Sequence, residues 1–223
     1  MLNEKQHAFI AAQYYRLIHE LDPAGAERVF LFCTRKYAEE RGARMAQRAL
    51  RDGRELTLGT YMSYGEWEYT DPDFSQSEII ETVPDHHYLV HKCPWSTQFY
   101  EMGALDCAKS YCRDLDLSIA RGFNPDADFE VRSTMHTAGV CEFVLHGAGE
   151  KPRAPRDRKN QRSFAYHCGH LLSTFDRCVR NIYGDRGRDM TAEVERRFGD
   201  QYGADALVEL LDNKSRDFLD INA

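Results

Sequence analysis

The chain has 223 residues and a formal net charge of -7. This acidic balance argues against binding to a phosphate backbone, which needs a basic surface, so we expect no nucleic-acid partner. The N-terminal residues lack the basic and apolar regions of a secretory signal, and no apolar run reaches the roughly 18 residues of a membrane span. The sequence therefore predicts a cytoplasmic protein without a membrane partner.

The length suits one domain with its own hydrophobic core. We expect a single domain over 1–223, with a helical N-terminal part at about 1–70 and a core region at about 75–212. Seven cysteines are present, and an odd number in a cytosolic chain predicts free thiols. A homo-oligomer is compatible with these features.

The N-terminal part predicts two packing helices. Apolar residues recur at helical spacing over 10–21, and Asp22-Pro23 ends this helix. A second helix is expected from about Ala24 to Leu50. Neither helix has a pattern that predicts chemistry.

Two strand pairs are predicted in the middle of the chain. The first pair is 78–83 and 88–91, and the second is 129–131 and 140–145. A helix is expected between the pairs, at about 95–122. This order favours an α+β fold, a small antiparallel sheet flanked by N-terminal and C-terminal helices.

The C-terminal part begins with a polar segment over 147–162 that is rich in Arg, Lys and Pro. It is interpreted as an exposed loop, and a nucleic-acid role for it is the less favoured alternative. Helices at about 163–183 and 191–211 follow.

Cys93 and Trp95 follow a predicted strand, and Pro94 between them suits a first helical turn. Loops after strands often carry functional groups, so both residues are candidates for substrate binding. The alternative is that both side chains only pack in the core.

Cys112 and Asp116 are four residues apart on the apolar stripe of the predicted 95–122 helix. A carboxylate on such a stripe is costly unless it binds a cation, accepts hydrogen bonds or faces a wet pocket. Both residues are catalytic candidates, and the alternative for Asp116 is a buried cap of a neighbouring segment.

Cys141 is predicted to share a strand face with Phe143 and Leu145. It is a catalytic candidate if that face borders the Cys112 pocket, and otherwise a core residue. Asn124 lies in the turn after the helix, where it either binds substrate or braces the turn.

His167 and His170 are three residues apart, so they share one side of the predicted 163–183 helix. Imidazole suits proton transfer near neutral pH, which makes both catalytic candidates, although packing is the alternative. Their spacing with Cys168 is not a zinc-finger pattern, so no metal site and no cofactor are expected, with a divalent metal as the alternative. The chain also lacks a glycine-rich phosphate loop and a Gly-x-Ser-x-Gly elbow.

Taken in order, five segments resemble the L-2-amino-thiazoline-4-carboxylic acid hydrolase family. The similarity extends over about 90–212, while the N-terminal helices agree only in kind. The segments that carry it are Cys93-Pro94-Trp95, Tyr111-Cys112-Arg113-Asp114-Leu115-Asp116, Gly122-Phe123-Asn124-Pro125, Cys141-Glu142-Phe143 and Tyr166-His167-Cys168-Gly169-His170-Leu171.

The resemblance implies a hydrolase that acts on the carbon–nitrogen bonds of a cyclic amidine and converts a thiazoline carboxylate into a carbamoyl-cysteine. The nucleophile would be the Cys112 thiolate or a water activated by His167 or His170. Asp116 beside Cys112 would raise the thiol pKa, which favours water or a different role for Asp116. Arg132 is a candidate to bind the substrate carboxylate.

Three other functions stay open on the sequence. The same fold would serve a small-molecule-binding or sensor protein that never turns its ligand over. A metal-dependent enzyme would use some of the His and Cys residues. A structural interaction module would not bring the five segments together.

Overall fold

A computed structural model describes residues 1–151 and 154–221. The described residues contain a four-stranded sheet, two short 3-10 helices and a larger set of α-helices. The α-helices are α1 (Glu4–Leu21), α2 (Ala26–Arg51), α3 (Leu58–Ser63), α4 (Pro94–Glu101), α5 (Leu105–Phe123), α6 (Met135–Ala138), α7 (Phe164–Tyr183), α8 (Asp185–Tyr202) and α9 (Ala204–Lys214). None of them is both long and apolar enough to cross a membrane.

The sheet is antiparallel throughout and has the strand order β1-β2-β4-β3. Tyr88 on β2 is paired with Ile79 on β1 and with Phe143 on β4. The α+β prediction is therefore confirmed. The strands are β1 (Gln76–Glu81), β2 (His86–Lys92), β3 (Phe129–Ser133) and β4 (Cys141–Leu145).

Glycines interrupt two helices that the sequence predicted to be continuous. The predicted 95–122 helix consists of α4 and α5, separated at Gly103, and the C-terminal helical region divides into α8 and α9 at Gly203. Gly103 has φ +61° and Gly203 has φ +88°, a left-handed region that favours glycine. Apolar periodicity continues across both breaks, which is why periodicity alone predicted one helix in each place.

The start of α1 is fixed by a capping box. The Asn3 side chain accepts a hydrogen bond from the Lys5 amide at 2.9 Å, and the Gln6 side chain accepts one from the Asn3 amide at 3.0 Å. These bonds satisfy backbone donors that a helix N-terminus leaves open. His7, in the first turn of α1, is thereby held in a defined place.

The backbones of α2 and α5 touch. A Cβ on Gly42 would lie 2.0 Å from the carbonyl oxygen of Ile119, and one on Gly122 would lie 2.3 Å from that of Glu39. Any larger residue at either position would separate the helices. This close approach brings the side chains of α2 and α5 to one side of the sheet.

The segment after β4 is not simply an exposed loop. Ser63 Oγ donates to the carbonyl of Ala154 at 2.6 Å, and the Arg162 amide donates to that of Glu66 at 2.7 Å. Asn160 is buried. Residues 154–159 are exposed, as predicted, whereas 160–162 are buried or half-buried and the segment is hydrogen-bonded to the 63–66 region; 152–153 lie outside the described residues.

Candidate active site

An inner chamber of about 170 Å³ lies between the sheet and helices α1, α2, α5 and α7. It shares six lining residues with a wider outer cleft of about 580 Å³. The shared residues are Arg41, Trp67, Tyr69, Tyr88, Val90 and Asp116. The two spaces are therefore neighbouring parts of one depression.

Six of the nine residues singled out from the sequence line the inner chamber. They come from separate elements of the chain, so the fold brings distant stretches to one hollow. They are Cys93, Trp95, Cys112, Asp116, Cys141 and His167. His170, Asn124 and Arg132 are not among the lining residues.

His170 packs behind the chamber. Its Nε2 lies 3.0 Å from Glu40 Oε2, and its ring stacks on Phe218 with the centroids 4.6 Å apart. Burial lowers its pKa to about 4, so the ring is neutral. These contacts match the packing alternative, because residues 167 and 170 differ enough in direction along α7 for only the first to face the chamber.

Asn124 and Arg132 are occupied elsewhere. Asn124 Nδ2 donates to the Leu56 carbonyl at 2.9 Å, and its Oδ1 accepts from the Asp126 amide at 3.0 Å, so this side chain braces the turn after α5. Arg132 is exposed and pairs with Glu130 at 3.0 Å and Glu142 at 3.4 Å. Neither side chain faces the chamber.

Asp116 presents a carboxyl group to the chamber without a protein partner. Within the described ranges, no hydrogen bond or ion pair to its side chain is present. Burial raises its pKa from the ordinary value of 3.8 to about 6, and the Arg41 charge opposes the rise. At neutral pH this group is ionised, yet it is more basic than an ordinary carboxylate.

Arg41 presents a guanidinium group to the same chamber. Its Nε is buried without a hydrogen-bond partner and lies 3.7 Å from Glu66, a carboxylate already bound by Arg44 at 2.9 Å and Arg48 at 2.5 Å. Three cations thus surround one buried anion. The excess positive charge makes this wall attractive to an anion.

The thiols that line the chamber are neutral. Burial raises the pKa of Cys93 to about 11, that of Cys141 to about 12 and that of Cys112 well above its usual range. Cys112 Sγ lies 3.6 Å from His136 Nε2, but burial lowers the pKa of that imidazole, so it supplies no cation. A reactive thiolate needs a nearby positive charge. The thiol of Cys112 therefore lacks the surroundings of a nucleophile.

His167 is a neutral base on the chamber wall. Its Nε2 lies 3.3 Å from the Glu66 carbonyl oxygen, which only accepts, so Nε2 carries the proton. Burial holds the pKa of His167 well below its usual range, and Nδ1 is buried without a partner. A lone pair is therefore left on Nδ1.

The N-terminal helices contribute chamber residues that the sequence reasoning missed. The chamber is also lined by His7, Tyr37 and Arg41, and by Tyr111 on α5. Tyr37 and Arg41 are four residues apart on α2, as Cys112 and Asp116 are on α5, so each pair shares a helix face. The spacing of Tyr37 and Arg41, four residues apart on a predicted helix, was the sequence signal that could have identified this pair. These helices therefore line the chamber in addition to packing in the core, which was all that the sequence predicted for them.

No group of three or more His, Cys, Asp and Glu side chains among the described residues is arranged to hold a metal ion.

Comparison with family models matches residues 3–145 to L-2-amino-thiazoline-4-carboxylic acid hydrolase. The match includes the N-terminal helices and ends before α7, whereas the resemblance inferred from motifs began at about 90. No curated protein and no solved structure matches the chain. Because the model covers well over half of its length, the chain belongs to the L-2-amino-thiazoline-4-carboxylic acid hydrolase family.

Proposed function

We propose that the protein hydrolyses a small cyclic amidine that carries a carboxylate, of the 2-amino-thiazoline-4-carboxylate kind. The observation that carries the proposal is a guanidinium whose Nε has no hydrogen-bond partner and a carboxyl without a partner among the described residues, both facing one small chamber. A cavity of about 150 Å³ accommodates a benzene ring, so a chamber of about 170 Å³ suits a single ring.

Arg41 is proposed to bind the substrate carboxylate. A guanidinium offers several donors in a fork that matches a carboxylate, and Glu66 takes little of this capacity because Arg44 and Arg48 hold it. Arg132, the candidate from the sequence, lies between two glutamates on the exposed part of the sheet. The proposal therefore assigns this role to Arg41.

Asp116 is proposed to bind the amidine and to accept a proton from water. One carboxylate oxygen can accept from an amidinium N–H while the other accepts from a water molecule. A pKa of about 6 suits a general base at neutral pH, because the group is ionised yet still takes up a proton.

The reaction then balances as follows. Water oxygen bonds to the ring carbon between nitrogen and sulfur, and Asp116 takes the proton that the water loses. The carbon–sulfur bond then breaks as the carbonyl forms, and the departing sulfur receives the proton from Asp116. The substrate enters as an amidinium, with one proton more than the neutral amidine, so the proton of the added hydroxyl group leaves to solvent. A carbamoyl-cysteine keeps both nitrogens on that carbon, so this proposal replaces carbon–nitrogen cleavage with carbon–sulfur cleavage.

Water is the proposed nucleophile because the chamber thiols are neutral. His167 is proposed as a second acceptor that orients this water through the unpartnered Nδ1. Cys112, Cys141 and Cys93 are proposed to shape the chamber, with Trp95 on its wall.

The test follows the appearance of free thiol when the purified protein is mixed with 2-amino-thiazoline-4-carboxylate. We expect thiol release, and loss of most turnover in Asp116→Asn. We expect Arg41→Met to lower kcat/KM about 10- to 100-fold, because the variant loses a hydrogen bond between charged groups and that loss has an effect of this size. The matched control, Arg132→Met, should leave turnover unchanged.

A second substrate separates binding from chemistry. With 2-amino-thiazoline, which lacks the carboxylate, Arg41→Met should lose much less kcat/KM than with the carboxylated ring, since no anion is there to bind and only the effect of Arg41 on the pKa of Asp116 is left. Binding of the carboxylated ring without consumption would support the sensor alternative. Release of a carbamoyl product without a free thiol would show carbon–nitrogen cleavage instead.

A further inference from the structure

Three side chains from separate helices form a hydrogen-bonded chain on the chamber wall. Trp95 Nε1 lies 3.0 Å from His7 Nδ1, and His7 Nε2 lies 2.9 Å from the hydroxyl oxygen of Tyr37. All three residues line the chamber. Neither His7 nor Tyr37 has a part in the function proposed above.

The direction of each hydrogen bond follows from the chemistry of the groups. An indole N–H only donates, so His7 Nδ1 must accept with its lone pair. Burial lowers the pKa of His7 to about 3, which leaves the ring neutral with one proton. That proton must be on Nε2, and His7 therefore donates to the oxygen of Tyr37.

The hydroxyl proton of Tyr37 is consequently free to point elsewhere. Across residues 1–151 and 154–221, His7 is the sole hydrogen-bond partner of this hydroxyl. Tyr37 is fully buried and lies one helical turn before Arg41 on α2, so the two share a face. Because Tyr37 lines the chamber, a molecule bound there would supply an acceptor for this proton.

The proposed reaction needs a donor of this kind. Negative charge develops on the sulfur as the carbon–sulfur bond breaks, and a preorganised donor in a buried site stabilises such charge. Burial raises the pKa of Tyr37 to about 12, so the hydroxyl keeps its proton while it donates a hydrogen bond.

We propose that Tyr37 is a catalytic residue that donates a hydrogen bond to the departing sulfur, and that His7 and Trp95 are positioning residues that direct its hydroxyl. This inference rests on the proposed function. Tyr37 is unchanged over the cycle, because the sulfur receives its proton from Asp116.

The experiment compares four variants with the wild type by thiol release from 2-amino-thiazoline-4-carboxylate. Tyr37→Phe removes the donor, and His7→Leu removes the group that directs it. His7→Gln restores one acceptor and one donor at that place. Tyr14→Phe is the matched control, since Tyr14 is also fully buried and its hydroxyl bonds to Thr191 at 2.9 Å, outside the chamber.

We expect kcat to fall about 100-fold in Tyr37→Phe, the effect of removing one preorganised donor, with KM nearly unchanged. His7→Leu should match it, and His7→Gln should recover most of the loss. Tyr14→Phe should lose stability but keep kcat, which separates catalysis from packing.

The outcomes distinguish this inference from the proposed function. If the wild type turns over and Tyr37→Phe keeps its kcat, the role of Tyr37 is overturned alone. If the wild type never opens the ring, the proposed function fails and the role of Tyr37 falls with it. The ¹⁵N resonances of His7, assigned by their loss in His7→Gln, should show a proton on Nε2. A proton on Nδ1 would refute the proposed directions of the hydrogen bonds, whatever the turnover.

Discussion

Replacing Asp116 with asparagine should make the protein more stable at alkaline pH while it removes activity. The pKa of this carboxyl is 3.8 ordinarily and about 6 in the fold, because burial disfavours the charge. A raised carboxyl pKa means that the unfolded state ionises first. The fold is therefore unaffected below pH 3.8 and loses stability as the pH rises through about 6.

The size of the effect follows from the two pKa values. A difference of about two pH units at 1.36 kcal/mol each gives about 3 kcal/mol at pH 8, and about half of that at pH 5. Asp116 is only half-buried, so solvent screening makes about 3 kcal/mol an upper bound. Asp116→Asn should therefore gain up to about 3 kcal/mol in the free energy of unfolding at pH 8.

Urea unfolding followed by tryptophan fluorescence, at pH 5 and pH 8, measures this gain. The matched control is Asp114→Asn, because Asp114 lies on the same helix but pairs with Arg35 at 2.8 Å. It should show no gain at either pH. An Asp116→Asn protein less stable than the wild type at pH 8 would mean that this carboxylate is well solvated or paired, and the argument for its basicity would fail.

The remaining predictions concern the thiol, the helix contact, the buried anion and metals. Cys112→Ser should keep turnover within about threefold, since the thiol is neutral. Gly42→Ala should cost about 1–3 kcal/mol in unfolding free energy, because its Cβ would meet backbone. Glu66→Gln should cost about 3–5 kcal/mol by leaving buried guanidinium groups unpaired. Treatment with a chelator should leave thiol release unchanged.

A specific result would contradict each of these four predictions. A loss of turnover above about 100-fold in Cys112→Ser would restore the thiolate mechanism. For Gly42 the control is Gly199→Ala, whose Cβ meets only the flexible Leu207 side chain at 3.0 Å, so equal losses in the two variants would refute the backbone contact. If Glu66→Gln unfolded thermally at the wild-type midpoint, the predicted loss of stability would be contradicted. If a chelator abolished turnover and added metal restored it, the prediction for chelation would be contradicted.

The two strand pairs and the convergence of the Cys112, Cys141 and His167 segments on one chamber were accessible from the sequence, whereas the pairing of β2 with β4 was not. Alternation placed Cys141 on a strand face, and helical spacing placed Cys112 and Asp116 together, because both periods are local properties of the chain. The apolar position of Asp116 was a sound signal, since a carboxyl there is costly without a function.

The charged and hydrogen-bonding residues that α1 and α2 contribute to the chamber could not be predicted from the sequence in the same way. Arg41 and His7 lie on helices whose patterns look like ordinary packing faces, and their chemistry depends on partners far along the chain. Arg41 Nε lies 3.7 Å from Glu66 but has no hydrogen-bond partner in the described part of the chain, because Arg44 and Arg48 hold that carboxylate. The converse holds for His170 and Asn124, which do not line the chamber because Glu40 and Leu56 supply their hydrogen-bond partners.

The glycine contact between α2 and α5 sets what kind of variation this scaffold tolerates. With backbone against backbone at Gly42 and Gly122, contact fixes the spacing of the two helices, and any larger residue at either position would push them apart. The aromatic rim, where Trp67 and Tyr69 border both spaces, is not part of this contact. Divergence toward larger ligands within this architecture is therefore expected to come from changes at that aromatic rim, while the helix pair stays constant.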